Sequence, residues 1–486
     1  VAWLVTSVET DVGRRSPPDQ ASSDSFCGDT VSAIHAASRS QAVKRVTLVA
    51  TYELGRQPFG LASPAAWLQE AGFRVTMVDL SREPFEPEAF NADLVAFHLP
   101  MHTATRLAVP VIRRVRALVP AARLCCYGLY ALPNERMLRD LGVEDVLGGE
   151  FEQALLDVAS GRESEAGSGP LPRLDFRVPL RAGLPPLARY ATLQTPTGKR
   201  VVGYTEASRG CKHLCRHCPI VPVYGGRFRA IPRDVVLADI RSQVESGARH
   251  ITFGDPDFFN GIGHAVSIVE SVAERFPGLT YDVTIKVEHL RAHRRHLTLL
   301  RDTGCQFVVT AVESVDDAVL AKLVKGHTRA EFETVVEECR DLGLPLAPTF
   351  IPFTPWATTS GYLELLRTID ALQLVEQVAP IQLTLRLLIQ EGSRLLDLEG
   401  PALNARLGSF DERLLVYPWT HADPDVDRLQ QEAAAVVGRG LTASRSELFD
   451  ELLALTAGRL GVAPPRRISS RLDRAAVPYL NEPWYC

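Results

Sequence analysis

Short β-branched runs alternate with helical stretches along most of this chain, and that alternation limits the fold more than any other feature. From residue 43 the runs VKRVTLVA, FRVTMVDL, DLVAFHLP and ARLCCYGLY, with a short fifth near VEDVLGGE, are spaced by LASPAAWLQEAG and ATRLAVPVIRRVRALVP and followed by FEQALLDVAS. Strands separated by helices of ten or more residues predict a parallel, doubly wound α/β sheet over residues 43–160. Ligands of such sheets sit at the carboxyl ends of the strands. Here that edge carries residues 52–60, 98–102 and 128–130.

Residues 161–198 are dense in Pro and Gly, without a long periodic segment, and read as an interdomain linker. A second series then begins. RVVGYTEAS, HITFGDPDFF, LTYDVTIKV, QFVVTAVES, LPLAPTFIPF and QLTLRLLI are spaced by helical stretches such as PRDVVLADIRSQVESG and HLRAHRRHLTLLRDTG. Six βα units predict a partial (β/α)6 barrel over 199–392, with its site at the C-terminal ends of the strands. Residues 393–486 read as a mostly helical C-terminal region with a tail, and the Ser- and Asp-rich residues 1–42 as a disordered leader.

Lys and Arg number 53 against 58 Asp and Glu, a net charge of −5, which gives no support for a general nucleic-acid surface. No apolar run reaches the ~18 residues of a membrane span, and the opening lacks a signal-peptide pattern. The expected compartment is the cytoplasm, and the nine cysteines fit a reducing one. Cys27, Cys305 and Cys339 stand alone and Cys125-Cys126 lie in an apolar run, so these five read as inert thiols.

Only RGCKHLCRHCP, residues 209–219, concentrates them, placing Cys211, Cys215 and Cys218 in a C-x3-C-x2-C pattern. A structural zinc site wants four ligands, commonly two paired half-sites, and the chain has no second pair. His213 or His217 would have to complete a Cys3His set, making the chain a zinc-stabilised binding module. The other reading is a [4Fe–4S] cluster with one iron left without a protein ligand, an open position of the kind that marks catalytic metal sites.

C-x3-C-x2-C after the first strand of a βα barrel closely resembles the radical S-adenosylmethionine (SAM) superfamily. The resemblance implies that Cys211, Cys215 and Cys218 hold the cluster, that the open iron chelates SAM, and that one electron cleaves SAM to a 5′-deoxyadenosyl radical. It also implies an electron donor of flavodoxin or ferredoxin type. His217 stands where the family usually has an aromatic residue. Gly254, Asp255 and Asp257, in the turn after the second strand, occupy the place that holds the SAM amino group. Glu313 and Ser314 stand where the family contacts SAM's ribose or carboxylate, and Lys286 on the third strand is placed to meet a carboxylate. Arg209, Lys212 and Arg216 would put positive charge near the cluster.

The order of a doubly wound domain, a linker and a radical SAM barrel is similar to the subclass with a cobalamin-binding Rossmann domain, and residues 55–72 resemble its first loop and helix. The D-x-H-x-x-G motif that supplies a cobalt ligand is absent, and His98 and His102 follow the third strand instead. Either cobalamin binds without a lower protein ligand or the domain has lost it. The implied chemistry is cobalamin-dependent methyl transfer on an unknown substrate, or cobalamin-free sulfur insertion or rearrangement. The wording of residues 208–261 and the close NEPWYC resemble the CUAEP/CCAEP-tail radical SAM proteins. That resemblance implies a redox-active tail starting at Cys486, with a selenocysteine codon next; the plain alternative is a terminal thiol.

Overall fold

A computed structural model describes residues 45–162, 173–398, 403–440, 443–467 and 479–481. The expected leader, Cys27 and the Cys486 tail lie outside the described residues.

The first sheet joins β1 (Arg45–Ala50), β2 (Arg74–Asp79), β3 (Leu94–His98), β4 (Arg123–Tyr127) and β5 (Asp145–Leu147), all parallel, in the order β2-β1-β3-β4-β5. β3 is buried along its whole length because helices cover both faces. Ile112 and Val115 pack on one side with Phe97, and Leu61 and Leu68 on the other with Leu48. Strand order reverses between β2-β1 and β1-β3, which opens a crevice at the carboxyl ends of β1 and β3.

The second sheet is built from β6 (Thr192–Thr195), β7 (Gly198–Thr205), β10 (His250–Phe253), β11 (Thr280–Thr284), β12 (Cys305–Glu313) and β13 (Leu346–Phe350). Strands β7 and β10 to β13 are parallel neighbours in sequence order. β6 and β16 (Tyr479–Asn481) extend the β7 edge antiparallel, so β6 belongs to the sheet although it falls in the expected linker. A separate ribbon of β8 (Ser208–Gly210) and β9 (Phe228–Ala230) frames residues 211–227.

Five parallel strands, not six, make the half-barrel. The run QLTLRLLI opens instead as a 3₁₀ turn, Pro380–Leu383, with Pro at its start, and makes one isolated parallel bridge past the end of β13, Phe353 to Arg386. A short apolar run has no period long enough to separate a strand from an edge-following loop. The stretch expected as one helix over 289–304 is likewise broken into Val287–Ala292, a 3₁₀ turn and Leu297–Asp302.

After residue 393 come a hairpin, β14 (Ala405–Leu407) with β15 (Trp419–His421), and helices Pro424–Arg439 and Arg445–Arg459. Leu429, Ala433, Phe449 and Leu452 join the same core as the barrel residues Leu366 and Ile369, so these helices complete the barrel's outer layer. Residues 173–191 are seated and not a loose tether. Arg181 donates to both oxygens of Asp239 at 2.9 and 2.8 Å and to Gln57 Oε1 at 3.1 Å, while Leu180 N–H bonds Ala62 O at 2.8 Å. No helix among the described residues is long and apolar enough to cross a membrane.

Candidate cluster and cofactor site

The β8–β9 ribbon holds the cysteine loop against the carboxyl ends of β7 and β10. Cys211 and Cys215 are buried and Cys218 is half-buried. Asn260, in the 3₁₀ turn after β10, accepts from Lys212 N–H at 3.1 Å and lies 3.9 Å from Cys211 Sγ, fixing the loop's start. Cys218 N–H bonds Cys215 O at 3.2 Å and folds its end. Burial pushes the Cys218 thiol up to about 12, with the Cys215 and Cys211 sulfurs adding to the rise. The Cys218 thiol therefore needs positive charge beside it to act as a thiolate, which iron would supply. The donor set, three unpaired cysteines in one loop, fits a cluster with three protein ligands.

A Cys3His set does not assemble. His213 turns toward Asp257 Oδ2, 3.5 Å away, and Glu288 Oε2, 3.4 Å away, and His217 toward Glu313 Oε1 at 3.2 Å. The group of metal-ligating type that forms, Cys211, His213 and Asp257, has its ligand atoms within 4.8 Å of one another and leaves Cys215 and Cys218 out.

Among the expected SAM-binding residues, the structure separates two roles. Asp255 is 2% exposed, and its oxygens accept from Ala207 N–H at 2.9 Å and Ser208 Oγ at 2.5 Å. It stitches the end of β7 to the end of β10, so both carboxylate oxygens are engaged within the protein, and burial raises its carboxyl to about 7. Gly254 is required by close approach, because a Cβ there would lie 1.8 Å from the Tyr204 hydroxyl. Asp257 caps the following turn through Phe259 N–H at 3.3 Å. Burial raises its carboxyl, but His213 and His289 outweigh that and hold it at about 2; His289 Nδ1 is 2.7 Å from Oδ2.

Glu313 ends β12 with φ at 69°, a left-handed conformation that costs about 1–3 kcal/mol in a side-chain-bearing residue. Lys325 Nζ donates to its Oε1 at 3.1 Å, the same oxygen that faces His217. Burial pushes Glu313 up, but Lys325 and His217 overcome it and bring the carboxyl to about 2. Lys325 is 3% exposed and feels the Cys215 and Cys218 sulfurs as well, so it is the cation beside the cluster loop. His327 is buried with both ring nitrogens unpartnered, and burial next to Lys325 and Lys286 holds it near 4, hence neutral at pH 7. Lys286 Nζ lies 3.4 Å from Glu288, and Ser314 Oγ accepts from Asp316 N–H at 3.1 Å.

The basic residues expected around the cysteines are placed otherwise. Arg209 is buried between the two sheets, donating to Glu152 at 2.7 and 3.0 Å and to Glu206 at 2.7 Å, with Glu150 at 3.5 Å. Its charge is matched by carboxylates and ties the cluster loop to the front domain. Arg216 donates to Lys322 O at 2.7 Å, and Lys212 lies over the Phe228 ring. Sequence reasoning missed Asn260 and His289, since their partners are 32 to 50 residues away and only the fold brings them together.

Between the sheets lies an open cavity of about 210 Å³. Glu53, Gly60, His98 and Gly128 line it from the front domain, and Tyr204, Arg209 and Gly254 from the barrel. That volume is below the ~300–1,000 Å³ of ordinary small-molecule sites. A corrinoid would therefore need the mouth as well. The His98 ring lines this cavity with its Nδ1 3.5 Å from Glu53 Oε2, so an imidazole would be available to a metal-bearing group held there.

Residues 205–366 match the family described as Radical SAM superfamily. The chain is 24% identical over 326 residues to the hopanoid C-3 methylase of Methylococcus capsulatus, covering 62% of each chain. It is 25% identical over 215 residues to a tRNA-2-methylthio-N(6)-dimethylallyladenosine synthase of Chlorobium limicola, covering 43% of this chain and 46% of the relative. The chain thus spans less than two thirds of the length of these curated relatives. Among solved structures it is similar to the radical SAM methyltransferase TsrM from Kitasatospora setae, with TM-score 0.55, 18% identity and coverage of 68% and 71%. It is also similar to the cobalamin-dependent SAM radical enzyme OxsB with aqua-cobalamin and SAM bound, with TM-score 0.63, 13% identity and coverage of 81% and 66%. At these identities the structures show a shared fold. The chain carries a radical SAM domain over residues 205–366, and that domain implies a [4Fe–4S] cluster and SAM.

Proposed function

We propose that this chain is a radical SAM enzyme that performs corrinoid-assisted methyl transfer. Cys211, Cys215 and Cys218 would hold the cluster, and Asp257, Glu313, Ser314 and Lys286 would surround SAM at the open iron. The observation that carries the reading is the convergence of three thiols with the buried Glu313–Lys325–His217 set at the carboxyl ends of the half-barrel strands. The cluster, when bound, supplies the electron that cleaves the SAM sulfonium. Lys325 offsets negative charge on the cysteine side of the loop, and Glu313 fixes Lys325 and His217 in place. Asp255 and Gly254 act as positioning residues that set the spacing of β7 and β10. An electron donor of flavodoxin or ferredoxin type would reach the half-buried Cys218 side, in a reducing cytoplasm.

Methyl transfer is favoured over sulfur insertion by the remaining thiols. Outside the loop, the described cysteines are Cys125, Cys126, Cys305 and Cys339, all buried within strands or helices, and no second thiol cluster forms among the described residues. The printed names of the methylase and of the methyltransferase TsrM point the same way, and that of OxsB names cobalamin dependence. Anaerobic reconstitution with iron and sulfide should give a brown protein with thiolate-to-iron absorption, and dithionite with SAM should give 5′-deoxyadenosine or S-adenosylhomocysteine. Cys215→Ala should lose the colour and SAM turnover and keep its far-ultraviolet circular dichroism. A colourless wild-type protein holding one zinc would sink the enzyme reading.

A further inference from the structure

The crevice between the sheets holds a histidine that the cluster chemistry does not use. His98 ends β3 opposite Ala50, the last residue of β1, and so lies beside the loop that carries Glu53. The residue is 6% exposed. Its ring fills a slot between two glycines: a Cβ on Gly60 would fall 2.0 Å from the ring, and one on Gly128 3.2 Å from it. Tyr127 and Phe151 flank the ring with centroids at 5.2 and 5.7 Å. Nδ1 faces Glu53 Oε2 at 3.5 Å, and neither atom has a hydrogen-bond partner. Nε2 has no protein partner among the described residues and is not sealed from the cavity that the ring lines.

An imidazole with one nitrogen against a carboxylate and the other open to a cavity is how histidine ligates metals. The two glycines leave the ring little freedom to turn. Among the described residues, no set of three metal-ligating groups converges at this cavity, so a bare ion would lack ligands. One axial imidazole suits a metal whose equatorial positions are already filled by a macrocycle. We propose that His98, oriented by Glu53, is the axial protein ligand of a corrinoid cobalt seated between the front domain and the cluster loop. This rests on the methyl-transfer reading. The absence of D-x-H-x-x-G from the β1 loop is then no obstacle, because β3 is the strand next to β1 and delivers a histidine to the same crevice.

The test uses the full chain and cob(II)inamide, a corrinoid without its own nucleotide base, so that any axial nitrogen comes from protein. Electron paramagnetic resonance of the anaerobic complex should show cobalt lines each split into three by one ¹⁴N. Protein labelled with ¹⁵N-histidine should show two instead. His98→Asn should remove the splitting, and Glu53→Gln should weaken cob(II)inamide binding about 10- to 100-fold. Equal melting points and equal iron loading in both variants check the fold; the isotope arm needs no substitution. Binding by the wild-type chain without nitrogen splitting would overturn the ligand assignment and leave the corrinoid reading standing. No binding at all would remove both, while SAM cleavage would still report on the cluster separately.

Discussion

Replacing Lys325 with Met tests the electrostatic core of the site without needing a loaded cluster. Lys325 and Glu313 are 3% and 6% exposed and 3.1 Å apart, so solvent screens the pair little. Glu313 is held at about 2 against an ordinary 4.5, which corresponds to about 3 kcal/mol of charge stabilisation at pH 7. A lowered folded-state value contributes stability that is present above pH 4.5 and is lost as pH falls through about 2. Lys325→Met leaves a buried carboxylate with only His217 beside it, a kind of loss that costs about 3–5 kcal/mol. Cluster-free protein at pH 7 should melt about 6–20 °C lower, taking ~2–4 °C per kcal/mol for a unit of this size. The deficit should shrink toward pH 4, where the variant's Glu313 becomes neutral, and Glu313→Gln added to Lys325→Met should recover most of it. An equal deficit at pH 7 and pH 4 would refute the charge argument and leave packing as the cause.

Gly60→Ala would ordinarily favour its helix by up to about 1 kcal/mol, but here the added methyl meets the His98 ring. It should instead lower stability by about 1–3 kcal/mol, and a raised melting point would show that the slot is not filled. Asp255, raised to about 7, contributes stability that is fully present below about pH 4 and lost as pH rises through 7. Asp255→Asn should flatten part of the decline in melting temperature between pH 4 and 7; an unchanged slope would place the titration elsewhere.

Much of the fold was legible because parallel sheets write themselves as apolar strands spaced by helices. The runs at β1 to β5, β7 and β10 to β13 are of this kind, and their carboxyl ends could be named in advance. Where the pattern misled, the cause was local. Pro380 turned an apolar run into a 3₁₀ turn, and β6, with the segment before it, was hidden in Pro- and Gly-rich sequence whose pairing partners are remote.

The sequence by itself determined that three thiols lie within one loop, since covalent spacing alone confines them. It could not say which carboxylates and cations face that loop, because those come from strands far apart in the chain. Tertiary structure made Asp255 a stitch between strand ends and gave Asp257 two histidines. It matched Arg209 with carboxylates of the front domain and put Lys325 beside the thiols. It also placed His98 next to the β1 loop, through the adjacency of β1 and β3. Burial then fixed the charge states: in low dielectric an unpaired charge is costly, so the partner a fold supplies decides whether each group is ionised.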